Sequence, residues 1–337
     1  MARLGLILVA RNMVESIALA QQAEAAGLHS VWTGDFFHRN GYVLLSAVAT
    51  VTQCIGLGTG ISYAFMRTPL LNASAAMDID EISRGRMLLG LGTGTKTMNE
   101  AWYSQPFEHP APKLKECVEL IRTAWRCAAG KPLRYQGRFY NVSIPQFARP
   151  YAVRERLPIY LAGVNPRMVQ TAAEVGDGLV GHPLYSRRYL QEVVHPAVTR
   201  GLARHGKPRQ EFDLASYIIT SVSPDGREAR REARYQIAFY STVRTYDIIL
   251  HLHGWEAEKH RIREAFKAMD MMAMADAVSD EMVQAIAIAG TPDECRQQLR
   301  RFEGLVDLPL LYAPSFGIPD NRIAENNRLI LETFGQG

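Results

Sequence analysis

The stretch best equipped for chemistry is Gly92-Thr93-Gly94-Thr95, followed by Asn99-Glu100 and by Trp102 and Tyr103. Glycines let a backbone come close to a flat or phosphorylated ligand, and threonine hydroxyls with free N–H groups can hydrogen-bond it. An aromatic pair beside the Glu100 carboxylate suits the wall of an apolar pocket. A tight turn without a ligand is an equally common use of such glycines. A second stretch, Thr33-Gly34-Asp35-Phe36-Phe37-His38-Arg39-Asn40, offers Asp35 and His38 to hold or protonate a substrate; a helix cap with surface polar residues is the competing use. In Gly58-Thr59-Gly60-Ile61-Ser62-Tyr63 a glycine inside a strand marks a bulge or a ligand against the backbone, and Arg67 just beyond can meet an anion. Ala162-Gly163 and Gly181-His182 are further small-residue turns. The second precedes a helix start at Ser186 with Arg187 and Arg188, which suits a phosphate. No H-E-x-x-H, P-loop, G-x-S-x-G or zinc-ligand spacing occurs, so a hydrolase or NTPase has no positive support and no metal is expected. Small residues at several such places suit a broad planar cofactor whose ring carries the chemistry.

Each of these stretches follows a short apolar run. Strands are expected at Leu4–Val9, Ser30–Thr33, Ile55–Ile61, Met87–Leu91, Pro158–Leu161, Gly178–Gly181, Asp213–Ser221 and Leu308–Ala313, with a helical pattern between successive strands. Eight β-then-α units in roughly 300 residues favour an α/β fold of the closed (β/α)8 TIM-barrel type over a doubly wound sheet. Nothing of the form G-x-G-x-x-G follows the first strand. Two insertions stand out: a β-hairpin near 133–142, and extra helices near 245–289 with no strand expected inside them. The second is rich in methionine (Met269, Met271, Met272, Met274, Met282) and can cover a pocket, fill a plastic core or form a dimer face. No linker or repeat divides the chain, so a single domain over 1–337 is expected.

Composition bounds the rest. Of 337 residues, 47% are hydrophobic and 21% charged, as in a globular protein. The net charge of +4 without a Lys/Arg-rich tract does not imply nucleic acid. Four scattered cysteines fit a reduced, cytoplasmic setting. The run MARLGLILVA reads as the first strand, not a signal peptide, and no run of about 18 apolar residues implies a membrane span.

Taken together, SVWTGDFF, IGLGTGI, ISRGRMLLGLGTGTKTMNE, PIYLAGVNPRM, EVGDGLVGHP and IAGTPDE occur in an order and at spacings that resemble the bacterial luciferase-like superfamily of flavin- and deazaflavin-dependent oxidoreductases. The nearest branch is that of coenzyme F420-dependent proteins related to methylenetetrahydromethanopterin reductase. The resemblance implies a (β/α)8 barrel with insertions and a homodimer or higher homo-oligomer acting on a small-molecule substrate. It implies that Asp35 contacts the deazaflavin, and that a strand-three bulge with a non-prolyl cis peptide, by position Gly60–Ile61, presses on the ring. Thr93, Gly94 and Thr95 would flank the ring or its tail. Ala162, Gly163, Gly181 and His182 would lie along the tail and phosphate. The residue after the acid is often His in that branch; here it is Phe36, with His38 two further on. The expected catalytic set is Asp35, His38 and Glu100, and the expected substrate pocket is Phe36, Tyr63, Trp102 and Tyr103. The implied activity is F420-dependent hydride transfer to or from a small organic substrate. The alternatives are an FMN-dependent monooxygenase using reduced flavin and oxygen, and a non-catalytic barrel that has lost its cofactor.

Overall fold

A computed structural model describes residues 3–148, 152–154 and 156–336. Residues 1, 2 and 337, the ends of the expected domain, lie outside the described residues. In chain order the first half holds β1 (Gly5–Ile7), α1 (Met13–Ala25), β2 (Ser30–Thr33), α2 (Gly41–Val51), β3 (Gly56–Thr59), β4 (Ser62–Tyr63), α3 (Pro69–Ile82), β5 (Met87–Gly92) and α4 (Pro110–Arg126). Next come β6 (Leu133–Gln136), β7 (Asn141–Ile144), β8 (Ile159–Ala162), α5 (Pro166–Val175), β9 (Gly178–Gly181), α6 (Arg187–Tyr189), α7 (His195–His205), β10 (Asp213–Val222) and α8 (Gly226–Ser241). The chain closes with α9 (Asp247–His253), α10 (Glu256–Lys267), α11 (Met271–Asp276), α12 (Asp280–Ile286), β11 (Ile288–Gly290), α13 (Pro292–Leu299), β12 (Leu308–Tyr312) and α14 (Asp320–Phe334).

Eight strands, β1, β2, β3, β5, β8, β9, β10 and β12, pair in parallel, and β12 pairs with β1 to close the barrel. The expected (β/α)8 architecture is present. The strands are short and buried on both faces, which is why they read as continuous apolar runs. Trp32 of β2 fills the interior, and a methyl group added at Gly58 of β3 would meet its ring, so the strand beside Trp32 needs a glycine there. Arg86, in the basic turn before β5, donates to the carbonyls of Ala49, Thr52, Ile55 and Ser83 and to the Thr52 hydroxyl. It closes the C-terminal end of α2, whose last carbonyls have no partner of their own.

Helix starts follow the sequence closely. Thr68 caps α3 with Pro69 in its first turn, and Thr291 with Glu294 forms a capping box at α13. The hairpin is antiparallel and runs on to Ile144, slightly past the expected 142. The helical insertion needs one correction. Ile288 and Ala289 begin β11, which pairs with Thr220–Val222. Strand β10, at ten residues, overhangs its neighbours, and β11 covers its exposed end. No described helix is long and apolar enough to cross a membrane.

Candidate active site

The C-terminal ends of the barrel strands carry the stretches singled out above, as the fold requires of a functional site. Asp35, just past β2, is 9% exposed. One carboxylate oxygen accepts the Gly41 N–H at the start of α2 (2.7 Å); the other accepts the Ser62 hydroxyl (2.7 Å) and Arg67 Nε (3.3 Å). Ser62 also lies 3.3 Å from Asn72 Oδ1, which accepts the Tyr42 hydroxyl at 2.9 Å. Burial pushes the Tyr42 phenol well above its usual range, so it stays a donor. Three donors thus occupy Asp35, and its role in this geometry is to hold α2, β4 and the start of α3 together. Arg67 lies over the Tyr42 ring, 5.2 Å from its centroid, and makes one hydrogen bond among the described residues, the one to Asp35. Its remaining N–H groups give the site a usable cation.

The strand-three turn lies alongside. The Gly60 N–H donates to the Thr33 carbonyl (2.7 Å) and the Asp35 N–H to the Ile61 carbonyl (2.9 Å). The Gly60–Ile61 peptide is cis, at the position the resemblance implied.

His38 and Glu100 lie at the surface. His38 sits exposed in the turn closed by Phe36 and Arg39, its ring against Phe36 and Phe37, and it is not among the partners of Asp35. Glu100 is exposed and pairs with Lys96 at 2.5 Å, as the i,i+4 spacing allows. Its neighbour Asn99 is the inward residue: fully buried, it donates to the Thr93 and Thr95 carbonyls, both at 2.8 Å. The Asn99 Oδ1 atom is buried without a partner among the described residues. Gly94 adopts φ +67°, a left-handed conformation that glycine takes without cost, and packs beside Asn99, Met66 and Tyr63. The i,i+4 spacing of Thr95 and Asn99 was the available sequence signal.

The four expected pocket residues come together as two pairs. Phe36 meets Trp102 edge to face at 5.6 Å, and Tyr63 meets Tyr103 at 5.8 Å. The loops after β2 and β5 therefore touch through aromatic rings. Phe36 and Trp102 remain 37% and 48% exposed at the rim.

Across the mouth, the Gly163 and Val164 carbonyls after β8 accept the hydroxyls of Tyr185 (2.5 Å) and Tyr189 (2.6 Å). Tyr185 lies just before α6 and Tyr189 within it, and both phenols reach the turn after β8. Ala162, the last residue of β8, borders this turn. His182, next to Gly181, stacks on Tyr246 at 3.8 Å, and its edge meets Tyr240. Its Nδ1 accepts the Leu184 N–H (3.2 Å), which leaves the ring proton on Nε2. Burial pushes its pKa down to about 3, so it is a neutral donor and brings no charge to a phosphate. At the helix start where a phosphate seat was expected, the side chains are engaged within the protein. The Ser186 hydroxyl caps Tyr189 and meets His253 Nε2 at 2.7 Å, Arg188 pairs with Glu192, and α6 runs into a π-helical turn at Leu190–Val194.

The His182 shift has a sign. The unfolded imidazole binds its proton near 6.5 and the folded one only near 3, so below pH 6.5 the unfolded chain holds more protons. Stability is fully present above 6.5 and falls as pH drops toward 3. His182→Gln is expected to flatten that decline in denaturation curves taken from about pH 7 to about pH 4. The residual slope would come from His29 and His253, which burial also shifts down. A slope equal to the wild type would assign the decline to other groups.

A family model described as luciferase-like monooxygenase matches residues 6–307. The chain is 36% identical over 315 residues to an uncharacterized protein of Mycobacterium tuberculosis, covering 88% of this chain and 92% of the relative. It is 33% identical over 284 residues to the 5,10-methylenetetrahydromethanopterin reductase of Archaeoglobus fulgidus, covering 82% of each. Its fold is similar, with a TM-score of 0.86 and 23% identity over 98% of both chains, to the coenzyme F420-dependent tetrahydromethanopterin reductase of Methanopyrus kandleri.

Proposed function

We propose that this chain, which belongs to the luciferase-like monooxygenase family, is a coenzyme F420-dependent oxidoreductase that moves a hydride to or from a small organic substrate. The observation that carries this reading is the wall formed by the Gly60–Ile61 turn between Asp35 and the Gly94 loop, facing the aromatic pairs Phe36–Trp102 and Tyr63–Tyr103. The identity to a methylenetetrahydromethanopterin reductase points the same way. A deazaflavin fits the groups present. The Gly94 backbone carries no side chain beside Tyr63 and Met66, Asn99 Oδ1 is a buried acceptor without a partner among the described residues, and Arg67 keeps N–H donors unused among those residues for an anionic group.

When bound, F420 supplies hydride chemistry. The protein's part is to hold and enclose. Asp35 fixes the loop that carries Phe36, Asn99 fixes the carbonyls of Thr93 and Thr95, and the aromatic residues exclude water from the face a substrate approaches. Neutral His182 offers Nε2–H as a hydrogen-bond donor. A second reading, an FMN-dependent monooxygenase, is favoured by Phe36 at the position where the F420 branch often carries His.

Titration of the purified protein with F420 and with FMN, followed by cofactor fluorescence, separates the readings. Saturable F420 binding is expected. Binding of FMN alone would replace this reading with the monooxygenase, and binding of neither would leave a non-catalytic barrel.

A further inference from the structure

Three tyrosine hydroxyls donate to main-chain carbonyls at strand ends: Tyr217 to Gly60, Tyr185 to Gly163 and Tyr189 to Val164. Tyr185 and Tyr189 are buried and tie the turn after β8 to the helix that follows β9. Tyr217 is different. It stands on β10 at the mouth, half-buried, and its bond joins the seventh barrel strand to the turn after the third, 157 positions away in sequence. The other two hydrogen bonds of that turn, Gly60 N–H to Thr33 and Asp35 N–H to Ile61, both run to the neighbouring β2 strand and its loop. The Tyr217 ring is backed edge to face by Tyr312 at 5.5 Å, and the Tyr312 hydroxyl accepts that of Tyr240 at 3.2 Å. A methyl group at Gly60 would lie 2.6 Å from the Tyr217 oxygen, so the tyrosine in this position needs a glycine at 60.

We propose that Tyr217 is a positioning residue for the cofactor site, its hydroxyl setting the direction of the Gly60 carbonyl and so the surface that residues 60 and 61 offer to a bound ring. This rests on the cofactor reading above. A carbonyl at a half-buried mouth that loses its donor turns toward another partner, and the peptide turns with it. Burial keeps the phenol protonated well above its usual range, so the donor is present at every working pH.

Tyr217→Phe keeps the ring and its contact with Tyr312 while removing the hydroxyl. The F420 dissociation constant is expected to rise about fivefold, the worth of one hydrogen bond. The absorption band and reduction potential of the bound cofactor are expected to shift, and exchange of the Asp35 amide, which bonds Ile61, to quicken in the cofactor-free protein. A general loss of packing would lower the melting temperature but leave the bound spectrum in place, and that result overturns the proposal. So does wild-type binding with a wild-type spectrum. If the unmodified protein binds neither F420 nor FMN, the cofactor reading falls and takes the proposed role with it; unchanged Asp35 exchange would then also show that Tyr217 does not set the turn.

Discussion

Asp35→Ala is expected to destabilise the protein by about 2–3 kcal/mol and to weaken cofactor binding by roughly tenfold or more. The carboxylate is almost wholly buried and serves three donors on three separate segments. Without it the Gly41 N–H loses its side-chain acceptor, the Ser62 hydroxyl keeps only the longer bond to Asn72, and Arg67 loses its tether. Arg67 is about a third exposed, so water recovers part of that last loss, which is why the expected cost stays below that of a fully buried ion pair. The comparison with Asp35→Asn decides the mechanism. Asparagine caps helices as well as aspartate, so a residue that only started α2 would be rescued. At this site the amide would turn its N–H donors toward Ser62, whose hydroxyl can accept one only by donating instead to Asn72, and toward Arg67, which can only donate, so Asp35→Asn should recover only part of what Asp35→Ala loses. Urea midpoints and F420 titrations of both variants check this. A wild-type midpoint for Asp35→Asn would reduce the residue to a helix cap.

Arg322→Met is expected to be the most destabilising single change away from the mouth, at about 3–5 kcal/mol. Arg322, on α14, is 8% exposed and Glu232, on α8, is 6% exposed. They bond at 2.6 and 3.2 Å, and Arg322 also donates to the Val222 carbonyl at the end of β10. The Ser221 hydroxyl completes Glu232 at 2.6 Å. Removing the guanidinium leaves the buried Glu232 carboxylate with the Ser221 hydroxyl as its one donor among the described residues and no positive partner. The double variant Arg322→Met with Glu232→Met removes both charges and should recover most of the loss, because two buried charges together gain little over apolar side chains of similar size. Guanidinium unfolding of the two single variants and the double gives the coupling. Additive losses would mean that the pair does not act as a unit in solution. The network secures the same strand that carries Tyr217, so its failure would also loosen the mouth.

Much of the architecture was legible because barrel strands and their helices are local. Apolar runs, caps such as Thr291–Glu294 and glycine turns each declare themselves within a few residues. The clustering of Asp35, Gly60 and the Gly94 loop at the barrel mouth was legible for the same reason, since each lies next to the strand end that presents it. Side-chain direction was not legible for the charged residues in the same stretches. Glu100 and His38 stand one and three places from residues that do point inward, and a π-helical turn and a tight turn leave both outside. No spacing distinguishes Asn99 from Glu100 until the direction of each side chain is known. The β11 strand was hidden because three apolar residues at the end of a helical stretch carry no period.

The sequence by itself determined the barrel, the positions of its strands, the family resemblance and the glycine-rich turns at the strand ends, because each depends on residue types close together in the chain. The tertiary structure alone decided which side chains meet across the fold. Tyr217 reaches Gly60, Arg67 reaches Asp35 and Arg322 reaches Glu232 across 157, 32 and 90 positions. Such partners are chosen by which strand ends and helices the closed barrel brings face to face, and a hydrogen bond depends on a few tenths of an ångström that no local pattern records.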